Sequence, residues 1–145
     1  MPIETVAVGT DGSDTATKAV QFALELAEKF GSRIVFISSY TPVSESRLRS
    51  EQKEAPQDVQ WAINPAEDVE DSLRTVEEMA NERGLKWTSE AREGDPSDVL
   101  VDLAEEHNAD VLVIGNKGMH RRVIGSVPNS VSHKAKCSVL IVKTT

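Results

Sequence analysis

The sequence predicts one α/β domain, residues 1–145, in which a doubly wound parallel sheet of five strands lies between two layers of helices. Three observations predict it. Short apolar runs alternate with longer segments of helical periodicity, most runs are apolar rather than half polar, and glycine turns follow two of them. In such sheets, ligands bind outside the carboxyl ends of the strands, where the strand order reverses. The order 3-2-1-4-5 would bring both glycine turns to one cleft.

The predicted elements alternate along the chain. Apolar residues recur every three or four positions in each helix, and each strand is a short apolar or alternating run. In order, the elements are strand 3–8, helix 16–30, strand 34–37, helix 66–83, strand 85–92, a helix that ends near Asn108, strand 111–114, helix 126–135 and strand 138–142.

Turn and capping residues support these boundaries. Ser13 or Asp14 can cap the first helix, and Gly31 follows its end as a natural stop. Gly84 closes the second helix in the same way. Residues 41–65 contain three prolines, many charges and little periodicity, so we expect an irregular excursion that is mobile or covers a ligand.

Charge is divided unevenly along the chain. All 24 acidic residues lie at or before Asp110. The basic residues that follow it are Lys117, Arg121, Arg122, Lys134, Lys136 and Lys143. Such a segment suits an anionic ligand, although buried strands and a packed helix would also exclude acids.

The overall composition limits the function classes. A net charge of −8 and a pI near 4.9 argue against nonspecific binding to nucleic acid or to an anionic membrane surface. No apolar run approaches the roughly 20 residues of a membrane span. The single cysteine, Cys137, suits a reducing compartment and is interpreted as a small core residue. We therefore expect a soluble cytoplasmic protein without nucleic-acid or membrane partners.

The most informative motif is an apolar strand that runs into glycines. Val111–Ile114 leads into Gly115–Gly118, and after six further residues Gly125 and Ser126 open a helix with Pro128 in its first turn. Backbone N–H groups that no side chain shields let a phosphate approach closely, and a helix N-terminus adds free donors. The motif predicts an anion-binding loop, although helix capping alone would also explain Ser126.

Other kinds of site find little support. Neither GxxxxGK[ST] nor GxGxxG after the first strand is present, which argues against P-loop and dinucleotide-binding proteins. His107, His120 and His133 are scattered without ligand spacing, so we expect no metal site. A catalytic triad could be composed of Ser126, His133 and Asp11, but the sequence lacks the nucleophile-elbow motif that would support it. We therefore expect no catalytic residue.

Several stretches together resemble the universal stress protein family. They are Val8–Ser13, Gly94–Pro96, Val113–Gly118 and Gly125–Val131, with Cys137–Val142 as the closing strand. The resemblance spans the whole chain in the right order. It implies a Rossmann-type sandwich of the adenine nucleotide alpha hydrolase kind, and a nucleotide-binding protein of stress response or regulation.

The resemblance also implies the site residues. In ATP-binding members of the family, the motif G-x2-G-x9-G-[ST] holds the phosphates, while residues at the ends of the first two strands border the adenosine. The complete expected set of nucleotide-binding residues here is Gly9, Thr10, Asp11, Ser39, Ile114, Gly115, Lys117, Gly118, Arg121, Arg122, Gly125, Ser126 and Val127.

This chain departs from the family motif in one place. Six residues separate Gly118 from Gly125 where the motif has nine, which could tighten the loop around a smaller phosphate group or leave a triphosphate poorly covered. We expect ATP, with Mg²⁺ as a possible companion, and keep cyclic AMP and AMP as alternatives. Cyclic AMP is included because a family subset with similar Gly-Thr-Asp-Gly-Ser and Gly-Ser-Val-Pro segments is linked to it. Arg121 and Arg122 could contact phosphates or only solvate the loop.

Three classes of function stay open. The first is a nucleotide-binding homodimer, since family dimers commonly form through the last strand and the apolar edge Val139–Val142 would otherwise be exposed. The second is an enzyme with at most weak ATP hydrolysis, because Gly9–Asp14 loosely resembles the S-G-G-x-D-S loop of ATP pyrophosphatases. The third is a nucleotide-free interaction module, which the shortened loop permits.

Overall fold

The computed structural model describes residues 2–40, 66–116 and 127–144. Its strands are β1 (Thr5–Gly9), β2 (Arg33–Tyr40), β3 (Trp87–Glu93), β4 (Val111–Gly115) and β5 (Ser138–Val142). Its helices are α1 (Asp14–Phe30), α2 (Ala66–Glu82), α3 (Pro96–Glu106) and α4 (Val127–Lys134). The excursion expected at 41–65 lies outside the described residues.

The strands form one parallel sheet in the order β3-β2-β1-β4-β5, which confirms the prediction. β1 is central, and Val8 pairs with Phe36 of β2 on one side and with Val113 of β4 on the other. All five residues of β1 are buried, which explains why its sequence is apolar on both faces. Asp110 fixes the amino end of β1, because its carboxylate accepts the backbone N–H groups of Glu4 (2.8 Å) and Thr5 (3.0 Å).

The sheet separates two apolar cores. Alternate residues of each central strand point to opposite faces, so both cores draw on the same strands. The core beneath α1 and α2 includes Val6, Val8, Leu24, Phe36 and Val76. The core beneath α3 and α4 includes Ala7, Val35, Leu100, Leu112 and Val131. This double burial holds the carboxyl ends of β1, β2 and β4 in fixed relative positions.

The helix ends confirm the predicted caps. The hydroxyl of Ser13 accepts a backbone N–H from the first turn of α1 at 3.2 Å. Gly31 ends that helix in the left-handed region, at φ 65°. At the start of α3, the carboxylate of Asp95 accepts the N–H of Asp98 at 3.2 Å.

The two outer strands are more exposed than the central ones. β3 begins two residues later and ends one residue later than the predicted span of 85–92. It lies at a sheet edge, where most of its residues are polar and all are at least partly exposed. Glu90 of β3 accepts a hydrogen bond from Arg92 at 3.1 Å and contacts the imidazole of His107 at 2.8 Å.

Within the described ranges, no helix has the length and apolar character to span a bilayer.

Candidate functional site

The candidate site is the edge of the sheet where β1 and β4 end. From β1 the chain passes to β2 on one side, and from β4 it passes to β5 on the other, so the strand order reverses between β1 and β4. Gly9 and Gly115 are the last residues of these two neighbouring strands. The structure therefore brings both predicted glycine turns to the position where open α/β sheets bind ligands.

The turn between β1 and α1 is held by its own polar groups. The N–H of Thr10 donates to the carbonyl of Ile37 at 3.0 Å, and the hydroxyl of Thr10 accepts the N–H of Gly12 at 3.3 Å. The carboxylate of Asp11 accepts the backbone N–H of Ser13 at 2.9 Å and its hydroxyl at 2.6 Å. Thr10 is 1% exposed, so its side chain serves the turn itself, while Asp11 is half-buried at the edge.

Gly12 in this turn is required by the fold. Its φ of 82° lies in the left-handed region, which side chains disfavour. A Cβ at this position would lie 2.2 Å from the Oγ atom of Ser72, so the turn packs directly against α2. The positive φ and the close contact with Ser72 therefore both disfavour a residue with a side chain here.

Gly115 at the end of β4 is different. It lies in extended backbone and is not among the glycines with positive φ. Among the described residues, the nearest atom to a Cβ at this position would be Cγ2 of Thr144, at 3.4 Å, which is ordinary van der Waals contact. A Cβ here would also lie 3.9 Å from that of Ala19, so the described neighbours leave room for a methyl group and do not themselves require glycine.

The residue after Gly115 makes contacts that the motif did not predict. The Oδ1 atom of Asn116 accepts from both the N–H (2.8 Å) and the hydroxyl (3.0 Å) of Thr144. Its own N–H donates to the carbonyl of Val142 at 2.9 Å. None of the sequence motifs includes Thr144, and it lies beside Asn116 because β4 pairs with β5.

The remaining expected site residues in the described ranges lie around this edge. Ser39 is 2% exposed near the carboxyl end of β2, and Ile114 is 1% exposed in β4, where it belongs to the core beneath α3 and α4. Val127 is half-buried at the first residue of α4. Six expected residues lie outside the described residues, namely Lys117, Gly118, Arg121, Arg122, Gly125 and Ser126.

Part of the basic C-terminal segment serves the fold. Lys134 donates to Asp98 at 2.9 Å, and Lys136 donates to Glu105 at 3.1 Å, so both lysines pair with acids of α3. The hydrogen bond to Asp98 raises the pKa of Lys134 above its ordinary value. The excess of basic residues after Asp110 thus partly neutralises an acidic helix, and these two lysines do not support an anion site.

The histidines of the described residues lie away from the candidate site. His107 follows the last residue of α3, and His133 lies in the last turn of α4. Helices of a doubly wound sheet run back from its carboxyl edge, so these C-terminal ends lie near the opposite edge. His133 is therefore not positioned to act with Asp11 in a catalytic triad. In the ranges that the structure covers, no cluster of three potential metal ligands is found.

Cys137 lies at the opposite edge as well. It is half-buried and lines a cavity of about 300 Å³ together with Val101 of α3 and Ala135. Burial raises the pKa of the Cys137 thiol. This supports its interpretation as a packing residue, because a reactive cysteine needs a lowered pKa.

Comparisons with known proteins agree with the fold. A family model described as the universal stress protein family matches residues 2–143. A universal stress protein of Mycobacterium tuberculosis strain H37Rv is 37% identical over 146 residues, which cover 98% of this chain and 97% of the relative. A solved universal stress protein in complex with cAMP is 31% identical, with a TM-score of 0.78 over all of both chains. One from Archaeoglobus fulgidus in complex with dAMP is 22% identical, with a TM-score of 0.71 over 99% of this chain and all of that one, and shares the fold.

Proposed function

The chain belongs to the universal stress protein family, and from that premise we propose that it binds an adenine nucleotide where β1 and β4 end. The phosphate would lie over Gly115 and the segment that follows it, and the adenosine beside Gly9–Asp11. The bound form would act in stress response or regulation through a dimer or another partner.

The observation that carries this proposal is the bare backbone of Gly115. Neither its backbone conformation nor its described neighbours demand glycine, since a Cβ would be 3.4 Å from the nearest described atom. It lies beside the end of β1 at the reversal of strand order. A glycine that the described part of the fold does not require, at the edge where such sheets bind ligands, supports close approach of a ligand.

Cyclic AMP is the nucleotide that we propose to test first. The relative solved in complex with cAMP is 31% identical to this chain over its full length, which supports a similar ligand here. ATP, with Mg²⁺ as a possible companion, and AMP are the other candidates. The short spacing between Gly118 and Gly125 favours a ligand with fewer phosphates.

We propose a binding protein and not a dedicated enzyme. The support is that His107 and His133 lie near the edge opposite to the candidate site, while the carboxylate of Asp11 accepts hydrogen bonds from its own turn. Incubation with ATP followed by chromatographic product analysis tests this point. Nucleotide recovered unchanged is the expected result, and turnover of many equivalents per protein would contradict it.

The decisive experiment identifies the ligand directly. Protein purified without added nucleotide is denatured, and the extract is analysed by mass spectrometry for adenine nucleotides. Calorimetric titration of emptied protein with cyclic AMP, AMP, ATP and adenosine then ranks the affinities. We expect at least one nucleotide to bind more tightly than adenosine, because the site is proposed to contact phosphate. If none of the four binds, the chain is a nucleotide-free module and the proposal is wrong.

A pair of variants locates the site. Gly115→Ala adds a methyl group to the backbone that the phosphate is proposed to approach, and we expect it to weaken nucleotide binding about tenfold or more. Ala91→Val is the matched control, since it adds methyl groups near the carboxyl end of β3 on the outer side of the same sheet. Equal affinities in both variants would remove Gly115 from the site.

We also propose that a second copy of the chain pairs with β5. Within the described residues β5 is an outer strand, and its four residues from Val139 to Val142 are apolar and half-exposed. The other outer strand, β3, carries charges that protect an edge from pairing. We expect Leu140→Lys to produce a monomer in light scattering, while Thr88→Lys on β3 leaves the dimer intact. A dimer that persists in Leu140→Lys would contradict this interface.

A further inference from the structure

Hydrogen bonds join the residue after β4 to the last residue of β5 and to Thr144 beyond it. We name this arrangement the clasp, and define it as Asn116, Val142, Thr144 and Lys18 of α1. The Oδ1 atom of Asn116 accepts two hydrogen bonds from Thr144, at 2.8 and 3.0 Å, and its N–H donates to Val142 at 2.9 Å. The ammonium group of Lys18 donates to the carbonyl of Thr144 at 3.3 Å. Three separate parts of the chain therefore meet at Thr144.

The clasp lies directly against the proposed phosphate position. Thr144 is 5% exposed, and its Cγ2 atom is the nearest described atom to a Cβ built on Gly115. A carbonyl oxygen has two lone pairs, and the Asn116 side chain uses both of them on Thr144. The backbone at Gly115 and Asn116 is thus held by side-chain contacts as well as by the sheet.

We propose that Asn116 is a positioning residue for the nucleotide. It holds the bare backbone at Gly115 in its binding conformation before the ligand arrives, which lowers the ordering cost of binding. The inference rests on the proposed function for its ligand, but the holding of the backbone is a property of the empty protein. A neutral amide is suited to this task, because an aspartate would accept the same two hydrogen bonds but place a negative charge beside the phosphate.

The first test removes the clasp from the empty protein. Asn116→Ala leaves both donors of Thr144 without their acceptor, and we expect amide hydrogen exchange at residues 115–116 and 144 to accelerate about five- to tenfold. Asn81→Ala is the matched control, since Asn81 also accepts a side-chain hydrogen bond, from Trp87 at 2.8 Å, on the far side of the sheet. Unchanged exchange at residues 115–116 in Asn116→Ala would overturn the proposal. Thr144→Val, which removes only the hydroxyl donor, provides a milder version if Asn116→Ala folds poorly.

The second test separates positioning from charge. Asn116→Asp retains the two accepted hydrogen bonds, so we expect amide exchange close to wild type. Its affinity for cyclic AMP should nevertheless fall about tenfold at low salt and partly recover at high salt, while adenosine affinity stays within about twofold. Asn116→Ala should weaken cyclic AMP about five- to tenfold with little dependence on salt. Equal losses for adenosine and cyclic AMP in both variants would contradict a role at the phosphate.

The two proposals can fail separately. Suppose that wild type binds no nucleotide while amide exchange is fast in Asn116→Ala. The proposed function and the positioning role are then both refuted, and the clasp is purely structural. If wild type and Asn116→Ala bind cyclic AMP with equal affinity, the positioning role alone is refuted. Loss of affinity in Asn116→Ala together with faster exchange in its empty form supports both.

Discussion

The turn after β1 and the end of β4 lie at the same edge of the sheet and both contain glycine, but the two glycines have different causes. Gly12 has a φ of 82°, and a Cβ there would lie 2.2 Å from Ser72. Gly115 is extended, and a Cβ there would be in ordinary contact with Thr144 and Ala19. Internal packing explains Gly12, whereas Gly115 needs an explanation from outside the described chain. A glycine in a motif therefore indicates binding only after its own conformation and neighbours have been considered.

The turn after β3 extends the comparison. Gly94 has a φ of 144°, and a Cβ there would lie 3.2 Å from Val99. The next residue, Asp95, caps α3. This turn is thus explained by the fold in the same way as the turn at Gly12, and Gly115 stands apart from both.

The largest effect is expected for Gly12→Ala. A left-handed backbone costs about 1–3 kcal/mol for a residue with a side chain, and overlap with Ser72 adds to it, so we expect the free energy of unfolding to fall by about 2–3 kcal/mol. Chemical denaturation measures this change. In a Ser72→Ala background the cost should fall to about 1–2 kcal/mol, because the overlap with the hydroxyl is removed while the backbone strain and the 3.1 Å contact with the Cβ atom of residue 72 remain. A substitution that costs the same in both backgrounds would show that packing against α2 is not the cause.

A much smaller change in stability is expected for Gly115→Ala. Extended backbone accepts alanine readily, and the nearest described atom gives ordinary contact, so we expect the free energy of unfolding to change by less than about 1 kcal/mol. The variant should still lose nucleotide affinity. Strong destabilisation in denaturant curves would mean that the fold requires Gly115, and the contrast with Gly12 would then disappear.

Ser13→Ala tests whether the first turn is structural throughout. The variant removes the N-cap of α1 and the donor to Asp11, and we expect a loss of about 1 kcal/mol in the free energy of unfolding. Ser13→Asn supplies another N-cap acceptor and should recover most of the loss. If thermal and chemical unfolding show no difference between wild type and Ser13→Ala, the cap contributes nothing to this turn.

The smallest expected effect is a pH dependence of the stability that comes from the turn after β3. The hydroxyl of Ser97, the N–H of Asp98 and the charge of Lys134 hold the pKa of Asp95 below its ordinary value. A lowered pKa in the folded state gives stability that is complete above the unfolded pKa and is lost as the pH falls through the folded one. We expect the advantage of wild type over Asp95→Asn to shrink as the pH falls below about 4. A constant difference between pH 7 and pH 2 would contradict this assignment.

The sequence and the structure agree where the deciding contacts are local. The Ser13 cap and the Gly31 stop were predictable because each acts within a few residues of its own helix end. The alternation of elements predicted the doubly wound parallel sheet, and the structure has the expected order 3-2-1-4-5. The contact of Gly12 with Ser72, the pairing of Lys134 with Asp98 and the clasp were not predictable, since each joins segments whose distance apart only the packed fold decides. This is also why the charge pattern after Asp110 overstated the cations available at the candidate site.

The pairing of β1 with β4 also has a consequence for the order of assembly. Thr5 and Asp110, which join the starts of these strands, lie 105 residues apart in the chain. Contacts between segments so distant form slowly, because a long loop must close before they bring any gain in stability. On the ribosome, β1 can pair with β2 early, but its pairing with β4 must wait until about three quarters of the 145 residues have been made. A nascent chain that ends before β4 lacks one wall of the cleft, so ligand recognition would be among the last properties the protein acquires during its synthesis.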